Sequence, residues 1–191
     1  MVTDWAGATP GRLQAIRSLF LAGFSHFTLE FCQNFLPVIY PLLIASMGLG
    51  YTQIGFIALT ITLTGSLLQP FFGFLTDRLG AERVSALSVV WVGGLMGLVG
   101  LVSHYWLLLL VVAFASVGSA SYHPAGAVIA TTNSGARRGA GMSIFSVGGS
   151  LGAALSPLWI SWWLGSLGAK STLTLLLVAG LVGILLYIQA Q

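Results

Sequence analysis

The segment GFLTDRLGAER, Gly73 to Arg83, gathers Asp77, Arg78, Glu82 and Arg83 in a chain that has only seven basic and four acidic residues. Apolar residues run for many positions on either side of it. Overall 57% of the 191 residues are hydrophobic and 6% are charged, where a soluble domain carries roughly 25% charged residues. So little charge cannot cover a water-facing surface, so the solvent for most of the chain is expected to be lipid. Gly73 to Arg83 then reads as a connector that returns the chain to water. Asp77 closes the helix before it, and Gly73 and Gly80 allow tight approach.

Working outward from that connector, apolar spans are expected near residues 18–46, 52–76, 84–103, 105–131, 139–165 and 171–189. Each is long enough for a bilayer core of about 30 Å, which takes about 20 helical residues. The runs are continuous rather than alternating, so they predict helices and not a β-barrel. The fold class expected is an all-α membrane protein of six transmembrane helices. Residues 1–17 form a polar leader with Asp4, Arg12 and Arg17. The run after it is too long for a signal peptide and contains Glu30, so an uncleaved first helix is expected. With six crossings, Arg12, Arg17, Arg78, Arg83, Arg137 and Arg138 share one side, and Lys170 alone lies on the other. Basic residues mark the cytoplasmic side. Both termini are therefore expected in the cytoplasm, in a multi-pass protein of the cell (inner) membrane. Seven basic residues are too few for a nucleic-acid surface, and the single Cys32 cannot form an intrachain disulfide.

The first span is the one that carries chemistry. At about 100° per residue, His26, Glu30, Gln33, Asn34, Pro37 and Pro41 fall within roughly 100° of arc, and bulky apolar residues take the rest. A carboxylate placed mid-membrane costs at least about 2–3 kcal/mol. Glu30 is therefore expected to face the bundle interior or a watery cavity, where it can carry a proton with His26 as relay. The bland alternative is a Glu–His hydrogen bond that only fixes packing. Pro37 and Pro41 remove the helical donors for the carbonyls of Gln33 and Pro37. Such bends are tolerated where neighbours or water satisfy the freed group, and they serve either motion or plain kinking.

Helix 4 offers a second polar point in GSASYHPAG, Gly118 to Gly126. His123, beside Tyr122 and the bend expected at Pro124, is read either as a hydrogen-bonded core histidine or as part of a substrate or proton path. The 25 glycines crowd into the later spans. Runs such as GGLMGLVG, Gly93 to Gly100, read mainly as small-residue packing faces.

The connector also carries a resemblance. G-x-x-x-D-R-x-G, here Gly73, Asp77, Arg78 and Gly80, resembles the signature loop between helices 2 and 3 of the major facilitator superfamily. By that resemblance these residues and Arg83 form a cytoplasmic latch between two halves. Ala81 and Glu82 stand where basic residues are usual. SHFTLEFCQNFLPVIYPLL (Ser25–Leu43), TQIGFIALTITLTGSLLQPFFGFLTDR (Thr52–Arg78), GSASYHPAG and GMSIFSVGGSLGAALSPL (Gly141–Leu158) are similar to the fosmidomycin resistance protein family of drug exporters. Glu30 stands where aspartate is expected. Helix 5 resembles the antiporter motif G-x-x-x-G-P as Gly152, Ser156 and Pro157, with serine for the second glycine. Helix 4 lacks the arginine of many proton-coupled members, which leaves proton coupling to Glu30 and the histidines. The resemblance covers about residues 20 to 189 and only the amino-terminal half of such a transporter. It implies half of a major facilitator fold, built as a 3+3 inverted repeat. GSLLQP (Gly65–Pro70) and GSLGAALSP (Gly149–Pro157) occupy corresponding places in the two three-helix units.

The function expected is proton-coupled export, as antiport, of a small drug-like or anionic compound. Gln33, Asn34, His123 and Tyr122 line the substrate path in this reading. The competing reading is a non-transporting truncated half, or a membrane subunit that needs a second six-helix partner. No phosphate loop, metal-ligand spacing or nucleophile triad is visible, so no enzyme activity, cofactor or metal is expected. The partners expected are the lipid bilayer, a small-molecule substrate, protons and a second six-helix half, from a continued chain or a second copy. The arginine bias makes a direct prediction about topology. Reporters fused after Gly168 and at Gln191 should report opposite sides of the membrane. The same side for both would undo the division of the last two spans.

Overall fold

A computed structural model describes residues 11–189. Residues 1–10, which hold most of the expected leader and Asp4, lie outside the described residues, as do the side chain of Arg12 and residues 190–191. The chain forms α1 (Arg12–Gln33), α2 (Leu36–Met47), α3 (Tyr51–Leu67), α4 (Gln69–Leu79), α5 (Ala81–Leu98), α6 (Tyr105–Thr132), α7 (Arg138–Leu167) and α8 (Thr174–Gln189). Short 3-10 segments, Val99–Leu101 and Gly168–Leu173, follow α5 and precede α8. No strand occurs among the described residues. Leu13–Met47, Ala81–Leu101, Tyr105–Thr132 and Arg138–Gln189 are each long and apolar enough to cross a bilayer. A fifth such stretch is the pair α3 and α4 taken together, which meet at 47°. The last stretch, 52 residues long, contains both α7 and α8.

Two expected spans, 18–46, where a bend at Pro37 is anticipated, and 52–76, are each broken in two. Both breaks precede a proline that sits in the first turn of the following helix: Pro37 in α2 and Pro70 in α4. A proline there removes no bond of its own helix, but it cannot continue the previous one. In each case the amide of a nearby side chain takes up a carbonyl one turn back. Asn34 Nδ2 donates to the Glu30 carbonyl at 2.9 Å, and Gln69 Nε2 donates to the Gly65 carbonyl at 3.0 Å. At Gly65 this replaces a hydrogen bond that solvent would otherwise supply, while the Glu30 carbonyl also accepts the Asn34 backbone N–H at 3.1 Å. The break at Pro70 was not among the expected bends. Pro41, Pro124 and Pro157 lie inside α2, α6 and α7, each of which is assigned as one helix.

Glycine decides how closely the helices approach. A side chain on Gly148 would strike the Gly23 carbonyl, and one on Gly152 would strike the Phe27 carbonyl. One turn further, Ser156 Oγ donates to the Phe31 carbonyl at 2.6 Å. So α7 lies backbone to backbone on α1 with a spacing of four residues, as in small-residue membrane interfaces. A second seam joins α5 to α8, where Gly93 meets Ala179, Gly97 meets Leu176 and Gly183 meets Val90. Thr172 ties its end: Oγ1 donates to the Gly97 carbonyl at 2.8 Å and accepts from the Gly100 amide at 3.1 Å. Away from these seams the helices expose large apolar side chains such as Phe20, Phe71, Trp162 and Leu181, a surface suited to lipid rather than water.

Overpacking a core costs about 1–3 kcal/mol. Gly152→Leu should therefore lower the unfolding temperature in detergent clearly, because the Phe27 backbone cannot yield. Gly55→Leu, at a helical glycine with nothing within 4 Å of the added carbon, should leave it nearly unchanged. Equal melting of the two variants would show that the α1–α7 seam is not tight.

Candidate functional site

The site is built from the end of α1 and the middle of α6. His26 and Glu30 lie one turn apart on α1, and Gln33 and Asn34 occupy the following turn at the helix end. The two oxygens of Glu30 have different surroundings. Oε2 accepts from Gln33 Nε2 at 2.9 Å and from Asn34 Nδ2 at 2.6 Å. Oε1 faces two imidazoles, His26 Nε2 at 3.4 Å and His123 Nε2 at 3.6 Å. His123 comes from α6, so only the folded chain brings it to Glu30.

The other face of His26 is held by α7. Its Nδ1 lies 2.8 Å from the Phe145 carbonyl. A carbonyl only accepts, so Nδ1 carries the hydrogen, and in the neutral ring Nε2 presents its lone pair to Glu30. The ring stacks on Phe145 with centroids 3.9 Å apart. Beneath it lies Gly149, where any side chain would overlap the imidazole. His123 Nε2 is also 3.2 Å from Ser119 Oγ.

His26, Glu30 and His123 are 11%, 15% and 30% exposed at their side chains. The residual exposure of His26 and Glu30 has a definite outlet. His26 and Glu30 line an open depression of about 320 Å³ with Ser146, Gly149, Ser150 and Ala153 of α7. Sequence reasoning did not single out Ser146, Gly149 or Ser150. The available signal was their four-residue and three-residue spacing along a helix predicted to pack by its glycines.

Other expected site residues have different surroundings. Tyr122 is fully buried. Its hydroxyl pairs with Ser25 Oγ at 2.7 Å and donates to the Ala22 carbonyl at 3.3 Å, which leaves it no surface toward the depression. Gln33 and Asn34 reach Glu30 rather than standing free. The metal-ligand pattern judged absent from the sequence is assembled in space: one donor atom each from His26, Glu30 and His123 lies within 4.8 Å of the others. At the α4–α5 turn Asp77, Arg78 and Arg83 are exposed, and the Arg78 guanidinium lies 4.3 Å from the centre of the Phe74 ring. Gly80 serves a different purpose from the expected close approach. Its φ is 88°, a left-handed conformation that favours glycine, and nothing lies within 4 Å of an added carbon there. Gly73 does face a neighbour, with Pro124 Cβ 3.9 Å from where its side chain would begin.

Comparison with known proteins places this architecture. The family model described as Major Facilitator Superfamily matches residues 19–190. The chain belongs to the major facilitator superfamily. It is 36% identical over 173 residues to an uncharacterized MFS-type transporter, YfnC, of Bacillus subtilis (strain 168), covering 89% of this chain and 42% of that protein. It is 35% identical over 156 residues to the fosmidomycin resistance protein of Escherichia coli (strain K12), covering 80% of this chain and 38% of that protein, in its amino-terminal half. The chain thus spans about two-fifths of the length of the curated relatives it matches. As a superfamily member with several long apolar helices, it is a multi-pass membrane protein.

Within this transporter-family chain, Gly149 is predicted to hold His26 against Glu30. Gly149→Ala should push the imidazole off its seat. His26 should then be modified by diethyl pyrocarbonate nearly as fast as the exposed His104, as read by peptide mass spectrometry. Unchanged, slow labelling of His26 in the variant would remove Gly149 from this role.

Proposed function

We propose that the chain is one half of a proton-coupled exporter of a small drug-like or anionic compound. The observation that carries this reading is Glu30 Oε1 facing two imidazole nitrogens at the edge of an open depression. Because the Nδ1 hydrogen of His26 is committed to Phe145, Oε1 and His26 Nε2 would repel each other as lone pairs unless a proton lies between them, and His123 Nε2 beside Oε1 can give or take one. One proton relieves that repulsion, and small rotations pass it between carboxylate and imidazole. Glu30 is then the proton carrier and His26 its relay. Gln33 and Asn34 hold the carboxylate in place. With His123 they line the substrate path, while Tyr122 supports it from behind. Export and the substrate class are supported by the similarity to the fosmidomycin resistance protein.

Six crossings in a 3+3 arrangement, with both termini cytoplasmic in the inner membrane, complete the proposal. The aromatic residues fit these span ends, since such rings gather at either face of a membrane. Tyr51, Tyr105, Trp106, Trp162 and Trp163 lie at the helix ends on the side that the arginine bias assigns to the exterior, where such rings anchor a bundle at the interface. The exposed Asp77, Arg78 and Arg83, with Gly73 and Gly80 shaping the turn, act as the latch. Among the described residues neither Asp77 nor Glu82 is ion-paired with a basic side chain, so both remain available to a second half. Alternating access in this fold moves one bundle against another, so the partner is a second helical half, from a continued chain or a second copy.

The test is Glu30→Gln in the complete transporter, reconstituted in liposomes. Substrate-driven proton flux should fall to background while insertion is retained, because the amide keeps the shape and cannot release a proton. Equal flux in both forms would leave Glu30 a packing residue.

A further inference from the structure

We infer that His26, Glu30 and His123 also form a binding site for a divalent transition-metal ion, with Zn²⁺ the best match. The inference concerns the same cluster as the proposed exporter, but it rests on donor geometry alone. Three features support it.

The first is spacing. Zinc holds imidazole nitrogen and carboxylate oxygen at about 2.0–2.2 Å in a tetrahedron, so neighbouring donors sit about 3.3–3.5 Å apart. The distances from Glu30 Oε1 to the two Nε2 atoms are 3.4 and 3.6 Å, and all three donor atoms lie within 4.8 Å of one another. An ion can enter with little movement along two edges and a modest inward turn of His123 along the third.

The second is outer support. A metal-binding histidine usually donates its other ring N–H to a carbonyl or carboxylate, and ligating carboxylates are themselves hydrogen-bonded. His26 Nδ1 is at 2.8 Å from the Phe145 carbonyl, and Glu30 Oε2 accepts two amide donors. That leaves His26 Nε2 and Glu30 Oε1 aimed at a common point. Among the described residues His123 has no such support. Its Nε2 neighbours Ser119 Oγ, which must turn away when the ion binds.

The third is access. His26 and Glu30 open onto the depression edged by Ser146 and Ser150, so a water or a polar ligand can fill the fourth position, as in open zinc sites. Two nitrogens and one oxygen favour zinc, nickel, copper or iron over magnesium and calcium, which prefer all-oxygen shells.

The purified chain in detergent is titrated with Zn²⁺ by equilibrium dialysis and with Co²⁺ by visible absorption. About one ion per chain is expected, with the intense bands of four-coordinate cobalt, undiminished by excess Mg²⁺. His26→Ala, His123→Ala and the milder His123→Gln should each weaken binding at least about tenfold. His104→Ala should leave it unchanged. A chain that binds no ion, or that binds equally with His123→Gln and His26→Ala, overturns the inference. The exporter reading is judged separately: metal binding without proton flux in the complete transporter sinks only the exporter, and flux without metal binding sinks only the metal site.

Discussion

A carboxylate inside a helical bundle needs a partner for each of its oxygens, because lipid offers none. Much of the described structure around Glu30 follows from that need. Oε2 is met by Gln33 and Asn34 from the next turn of its own helix. Oε1 is met by an imidazole one turn back on α1 and by another across the bundle on α6. The His26 imidazole is in turn fixed by a carbonyl and an aromatic ring of α7. Three helices are thus tied together through Glu30 and His26, and both side chains open onto the depression along α7.

The glycine seam between α1 and α7 makes this possible. His26 can reach the Phe145 carbonyl only if the two helices nearly touch, and Gly148, Gly149 and Gly152 remove the side chains that would hold them apart. Dispersion contacts between such close backbones also supply association energy where no hydrophobic driving force acts between helices in lipid. Packing and chemistry share the same surface here. Gly148 and Gly152 seat the α1 backbone, and Gly149 between them seats the imidazole.

Asn34 shows a similar economy. Its amide bonds both the Glu30 carbonyl, at the point where Pro37 ends the helix, and the Glu30 carboxylate. The break in the first span and the placement of the acid are therefore one arrangement. The break before Pro70 uses the same device with Gln69, but no ionisable group is held there.

Much of this was legible in the sequence. Scarce charge and long apolar runs establish a helical membrane protein, since no other surface could be solvated. The arc shared by His26, Glu30, Gln33 and Asn34 places them on one side of α1, since helical periodicity is local. The charged turn at Gly73–Arg83 carries the family resemblance. Other features depend on contacts between residues far apart in the chain, which no local pattern encodes. Among them are the meeting of His123 with Glu30, the seating of His26 on Phe145 and Gly149, and the sealing of Tyr122 behind Ser25. Composition could say that an acid in lipid needs partners. That a second imidazole, from His123, answers Glu30, and which of its oxygens the two rings face, was decided only when α6 and α7 closed against α1, because a hydrogen bond requires atoms within about 3 Å and only the packed bundle sets distances that short.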